Sequence, residues 1–230
     1  MFCRRRWLGS GAIEPIQNES AQWLRVRILG VPSRSLEAAS PEKHPLIDEF
    51  LPEHDFGATY EIGIQAPASV VYQRLLVCDF NAVWIARALM MLRSGRQIRP
   101  NRVPGDLRQR LRGTGFVILA EIPNELVIGV AGRFWRPDGG RCLDLSAGDF
   151  AGFSRAGYAK VAWNFRLRAA TPESTVLSTE TRIKCFGRMA RWKFRLYWAV
   201  VGPFSGLIRK AILKQVKGES EKLALGGTSL

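Results

Sequence analysis

The chain has 230 residues with 47% hydrophobic and 23% charged side chains, enough apolar material for one domain of ordinary size, which excludes a chain disordered throughout. Its four cysteines, Cys3, Cys78, Cys142 and Cys185, form no CxxC pair, and His44 and His54 are the only imidazoles, which argues against a metal centre or a disulfide scaffold. Lys and Arg number 34 against 20 Asp and Glu, a net charge of +14 that favours an anionic partner or surface.

Residues 1–44 mix Pro, Ser, Glu and Arg without sustained periodicity and read as a flexible or accessory extension. Their basic start is not followed by the apolar stretch of a secretory signal, so the expected compartment is the cytoplasm. Gly9-Ser10-Gly11 has Glu14 where a dinucleotide loop needs its third glycine, and no strand precedes it; no cofactor is expected. The domain is expected to span residues 45–225, with 226–230 a flexible tail.

Ala58 to Gln65 alternates, with Tyr60, Ile62 and Ile64 on one face, and predicts a strand. Ala66-Pro67 then opens a helix over 68–77, and Asn81 caps a second over about 82–93. Arg93, Arg96, Arg99, Arg102, Arg108, Arg110 and Arg112 meet only Asp106 in a stretch broken by Gly and Pro, which reads as a loop with one short helical turn. Gly115 to Leu119 and Leu126 to Val130, joined at Pro123-Asn124-Glu125, read as a hairpin, and Asp138-Gly139 marks a further turn. A second hairpin pairs Ala159–Arg168 with Thr175–Cys185 across Thr171 to Ser174, each strand burying one face.

From about 188 to 223, Met189, Trp192, Leu196, Val200, Phe204, Ile208, Ile212 and Val216 recur every three or four residues and predict one amphipathic helix, bent at Gly202-Pro203. Strand, two helices, antiparallel strands and a long last helix make the class α+β. Residues 181–230 hold 11 basic and 2 acidic side chains, so most of the net charge lies at this end.

This order of elements, with ATYEIGIQAPASVVYQRLL at 58–76, GVAGRFWRP at 129–137, LSTETRI at 177–183 and FRLYWAVVGPFSGLIRKAILKQVK at 194–217, resembles the START-like, or SRPBCC, superfamily that includes polyketide cyclase/dehydrase-like proteins. The resemblance covers about residues 46–225 and implies a helix-grip fold, a curved antiparallel sheet wrapped around the last helix with an apolar cavity between them. Members include lipid and hormone carriers, aromatases and cyclases, and no catalytic set transfers residue by residue.

If the apolar parity of each strand faces the helix, Tyr60, Ile62, Phe116, Ile118, Ile128, Phe134, Trp163, Phe165, Thr179 and Thr181 enclose a space that Tyr197 approaches from the helix. Such a lining suits a small hydrophobic, lipid- or polyketide-like ligand, and equally serves as ordinary core. The catalytic alternative, a metal-free cyclase, aromatase or dehydratase, would use Tyr60, Thr179, Thr181 or Tyr197 to handle protons. Arg166 opposite Glu180 predicts a cross-strand ion pair, and Arg133 is expected to stack on Trp135. Arg191, Arg195, Lys210, Lys214 and Lys217 suit either a solvated helix face or contact with an anionic membrane. The uncharged window Leu196 to Ile208 is too short to span a bilayer. No RRM, KH, zinc-finger or helix-turn-helix signature points to nucleic acid.

Overall fold

A computed structural model describes residues 44–78, 107–111, 114–136 and 142–226. In chain order the elements are α1 (Ile47–Phe50), β1 (Phe56–Ile64), α2 (Ala68–Val77), α3 (Leu107–Leu111), β2 (Val117–Ile122), β3 (Glu125–Gly132), β4 (Cys142–Leu143), α4 (Ala147–Gly152), β5 (Ala159–Thr171), β6 (Ser174–Cys185) and α5 (Arg188–Gly226). The six strands form one antiparallel sheet in the order β1-β6-β5-β3-β2, with β4 on β3. With α5 packed against it, the architecture is α+β and consistent with a helix grip. The expected second helix over 82–93, most of the arginine-rich loop and the turn at Asp138-Gly139 lie outside the described residues.

The two hairpins follow from local chemistry. Pro123-Asn124 closes β2 onto β3, and Pro172-Glu173 closes β5 onto β6, where Thr171 and Ser174 hydroxyls meet at 2.7 Å. Pro67 stands immediately before α2, whose Val71 and Leu75, four residues apart, point into the core. At the sheet's end Gly187, with φ of 98°, turns the chain from β6 into α5, a conformation that costs a residue with a Cβ.

Two of the strand expectations change. One buried face was expected for the sheet, yet every residue of β3 is buried, because α1 and α4 cover the side opposite α5. Ile47, Leu51, Leu119, Val127, Phe150 and Ala162 form that second layer. Polar side chains caught under it are satisfied: Asn164 Nδ2 donates to Glu125 Oε1 at 2.7 Å, the Leu46 amide donates to Glu125 Oε2 at 3.1 Å, and Lys160 Nζ donates to the Phe150 and Ala151 carbonyls. The ion pair also differs. Arg166 lies opposite Ser178, and Asn164 lies opposite Glu180. Glu180 instead takes Arg182 Nε at 2.7 Å, and the same guanidinium reaches Asp48 and the Leu51 carbonyl, tying the segment around α1 to the sheet.

The last helix revises the sequence reading most. A helix turns about 100° per residue, so a side chain at every fourth position advances about 40° around the axis. The stripe from Trp192 through Leu196, Val200, Phe204, Ile208, Ile212 and Val216 therefore winds around α5 instead of holding one face. Its first half is exposed, and its second half enters the core. The residues α5 buries are Ala190, Phe194, Gly206, Arg209, Ile212, Leu213, Val216 and Ser220, and the helix runs on through Pro203.

Candidate functional site

Between the sheet and the second half of α5, Ile62, Ile128, Phe165, Leu177, Ile212 and Val216 form the main core, with Tyr60, Ile118 and Trp163 packed at its edge. Arg209 lies on the same helix face as Gly206, Leu213 and Val216. Only 7% of it is exposed, and its Nε and Nη1 meet no acceptor among the described residues. Its guanidinium carbon stands 5.5 Å from the centre of the Trp163 ring. Burial pulls its pKa from 12.5 down to about 10, with Tyr60 opposing that shift.

The groups around Arg209 are held in place. Trp163 Nε1 donates to Thr179 Oγ1 at 2.6 Å, and that hydroxyl donates to the Asn164 carbonyl at 2.7 Å, so the indole plane is locked. Thr181, opposite Trp163 in the ladder, has a buried hydroxyl without a protein partner among the described residues. Tyr60 reaches the helix because position 206 is glycine: a Cβ there would overlap the phenol oxygen and lie 3.2 Å from Cζ. The core around the Trp163 ring thus gathers a buried cation, an unpaired hydroxyl and a phenol, a combination suited to an acidic group joined to an apolar body.

Of the predicted cavity residues, Tyr60, Ile62, Ile118, Ile128, Trp163 and Phe165 come together in this core, above the buried Thr179 and Thr181. Phe134 and Tyr197 belong to a separate aromatic cluster around Phe194, where Trp198 stacks at 5.6 Å and Trp135 meets the ring edge-on. Phe116 is 38% exposed and joins neither group. With Trp135 so engaged, Arg133 stacks on Tyr158, 4.4 Å from the ring centre, and not on Trp135 as expected.

Among the predicted basic contacts, Arg191 pairs with Asp55 at 3.0 Å, and Lys217 donates to the Gly63 carbonyl at 2.9 Å and pairs with Glu221. Lys210 lies over the Tyr60 ring at 5.5 Å, while Arg195 and Lys214 are exposed. Sequence reasoning missed Arg209. The available signal was its place three residues after Gly206 and three before Ile212, a cation on an otherwise apolar face.

Elsewhere, Arg108 on α3 forms a two-bond pair with Glu121, which also accepts from the Tyr72 hydroxyl at 2.9 Å. Burial and this bond push the Tyr72 phenol up to about 12. Among the described residues no group of three His, Cys, Asp or Glu is placed to hold a metal, and no helix is long and apolar enough to cross a membrane.

No protein-family model matches the chain. No curated protein sequence matches it either. Among solved structures, the Zhui aromatase/cyclase of Streptomyces sp. R1128 is similar at 15% identity and a TM-score of 0.27, over 72% of this chain and 93% of that one. A Thermus thermophilus protein is similar at 9% identity and 0.26, over 75% and 99%. CalU16 of Micromonospora echinospora is similar at 12% identity and 0.21, over 74% and 88%. At such TM-scores these likenesses decide nothing about this chain, and its fold rests on its own strand order and helix.

Proposed function

We propose that the chain binds a small hydrophobic ligand, lipid- or polyketide-like, between the sheet and α5, with an acidic group of the ligand on Arg209. The supporting observation is the buried guanidinium whose Nε and Nη1 find no protein acceptor among the described residues. A buried charge with unpaired donors is expensive to a fold, and ionisable groups so perturbed cluster at functional sites. Trp163, Tyr60 and the apolar side chains around them supply contact area, and Thr181 adds one hydroxyl for orientation.

The test is a binding titration of the full chain with a long-chain fatty acid and with its methyl ester. The acid is expected to bind at least tenfold more tightly than the ester in the native chain and no better in Arg209→Met. Equal affinities in the native chain, or binding of neither compound, would count against the reading. Native mass spectrometry of the chain purified from cells, followed by organic extraction, would name the natural ligand class.

A catalytic reading shares this space. The Tyr60 phenol lies against α5 at Gly206, one helical turn from Arg209, so a proton donor and a buried cation stand close together on the same helix face. That pairing suits stabilisation of an enolate, as cyclase, aromatase or dehydratase chemistry requires. Under this reading the extracted compound changes mass or absorbance on incubation with the native chain and not with Tyr60→Phe.

A further inference from the structure

We propose that the first half of α5 is a docking face for the surface of an anionic phospholipid bilayer. The face is the exposed half of the winding stripe, Met189, Trp192, Leu196, Val200 and Phe204, joined by the exposed Leu207. These large apolar side chains point away from the buried Phe194, with Phe204 at the edge of the strip, and Met189 and Val200 are 63% and 61% exposed. A soluble surface scatters single apolar residues, whereas this row over about five helical turns forms a continuous strip.

Charge decides the occupant. From Arg188 to Lys217 the sequence holds eight Lys or Arg and not one Asp or Glu. By helical geometry Lys193 flanks the strip on one side, with Arg188 and Arg195 on the other. A second copy of the chain would bring equal positive charge to the same strip, whereas anionic headgroups neutralise it while the apolar side chains enter the headgroup boundary. The strip includes Trp192, a residue type that favours that boundary. A groove of about 930 Å³ runs beside the strip between Trp135, Tyr197 and Val200, with Arg133, Arg136 and Lys193 on its walls, and can receive a headgroup and part of its chain. Such docking places the helix in the plane of the interface, and none of the described helices is apolar enough to cross.

The test is cosedimentation of the full chain with phosphatidylcholine vesicles and with vesicles containing phosphatidylserine, at low and at physiological salt. Binding is expected only with phosphatidylserine, weakening at least tenfold as salt rises. It should also fall at least tenfold in Leu196→Glu/Val200→Glu, whose exposed positions leave the melting temperature unchanged. Nitroxide-labelled lipid is expected to quench more tryptophan emission in the native chain than in Trp192→Leu. Absence of binding to phosphatidylserine vesicles, or full binding by the double variant, overturns the proposal. So does a native dimer that Leu196→Glu dissolves, since a second copy would then own the strip. Arg209→Met should bind vesicles as the native chain does, which separates this surface from the interior site.

Discussion

Replacing Arg209 by methionine removes the buried charge and keeps most of its apolar stem. Burial lowers the guanidinium pKa from 12.5 to about 10, and at about 1.4 kcal/mol per unit this corresponds to roughly 3 kcal/mol of strain in the unliganded fold. The contact with Trp163 at 5.5 Å returns about 1 kcal/mol, so a net gain of roughly 2 kcal/mol is expected from the substitution. For a domain of this size that raises the melting temperature by roughly 4–8 °C. The sign with pH follows from the direction of the shift. Both folded and unfolded chains hold the proton below about pH 10, so the cost is constant there and is relieved only as pH rises from the folded toward the unfolded value. Circular dichroism melts of native chain and Arg209→Met at several neutral pH values should therefore show a constant gap, the variant melting higher. A variant that melts lower than the native chain would refute the reasoning, because Arg209 would then be paired and stabilising.

Three further outcomes are expected. Gly206→Ala should destabilise by roughly 1–3 kcal/mol through overlap with the Tyr60 oxygen, and adding Tyr60→Phe should recover most of that loss in urea denaturation. Arg182→Ala should cost roughly 1–3 kcal/mol, since it leaves Glu180 and Asp48 without their cation, and the loss should be read as faster amide exchange around α1. Burial, with Arg182 nearby, lowers the His54 pKa below 6.5. Its contribution is therefore intact above about pH 6.5 and lost as pH falls through the folded value. His54→Gln should flatten the fall in urea midpoint between about pH 7 and pH 5.

Strand and helix boundaries were legible where local chemistry dominates. Alternation marked Tyr60, Ile62 and Ile64 as inward, Pro67 opened α2 at Ala68, and Thr171 to Ser174 closed the last hairpin. Chemistry between elements was not legible. Arg182 finds Asp48 across 134 residues, and the pairing of Asn164, not Arg166, with Glu180 depends on a register that alternation alone leaves free by whole pairs of residues.

The candidate site divides the same way. Composition and periodicity alone determined that this is an α+β domain with a basic, apolar last helix and inward-facing Tyr60, Trp163, Thr179 and Thr181. Tertiary structure decided which side of α5 is inside. A repeat of four residues is out of step with 3.6 per turn, so the direction in which each side chain faces depends on where the helix meets the sheet. That contact buries Arg209 beside Trp163 and leaves Met189, Trp192, Leu196, Val200, Phe204 and Leu207 exposed.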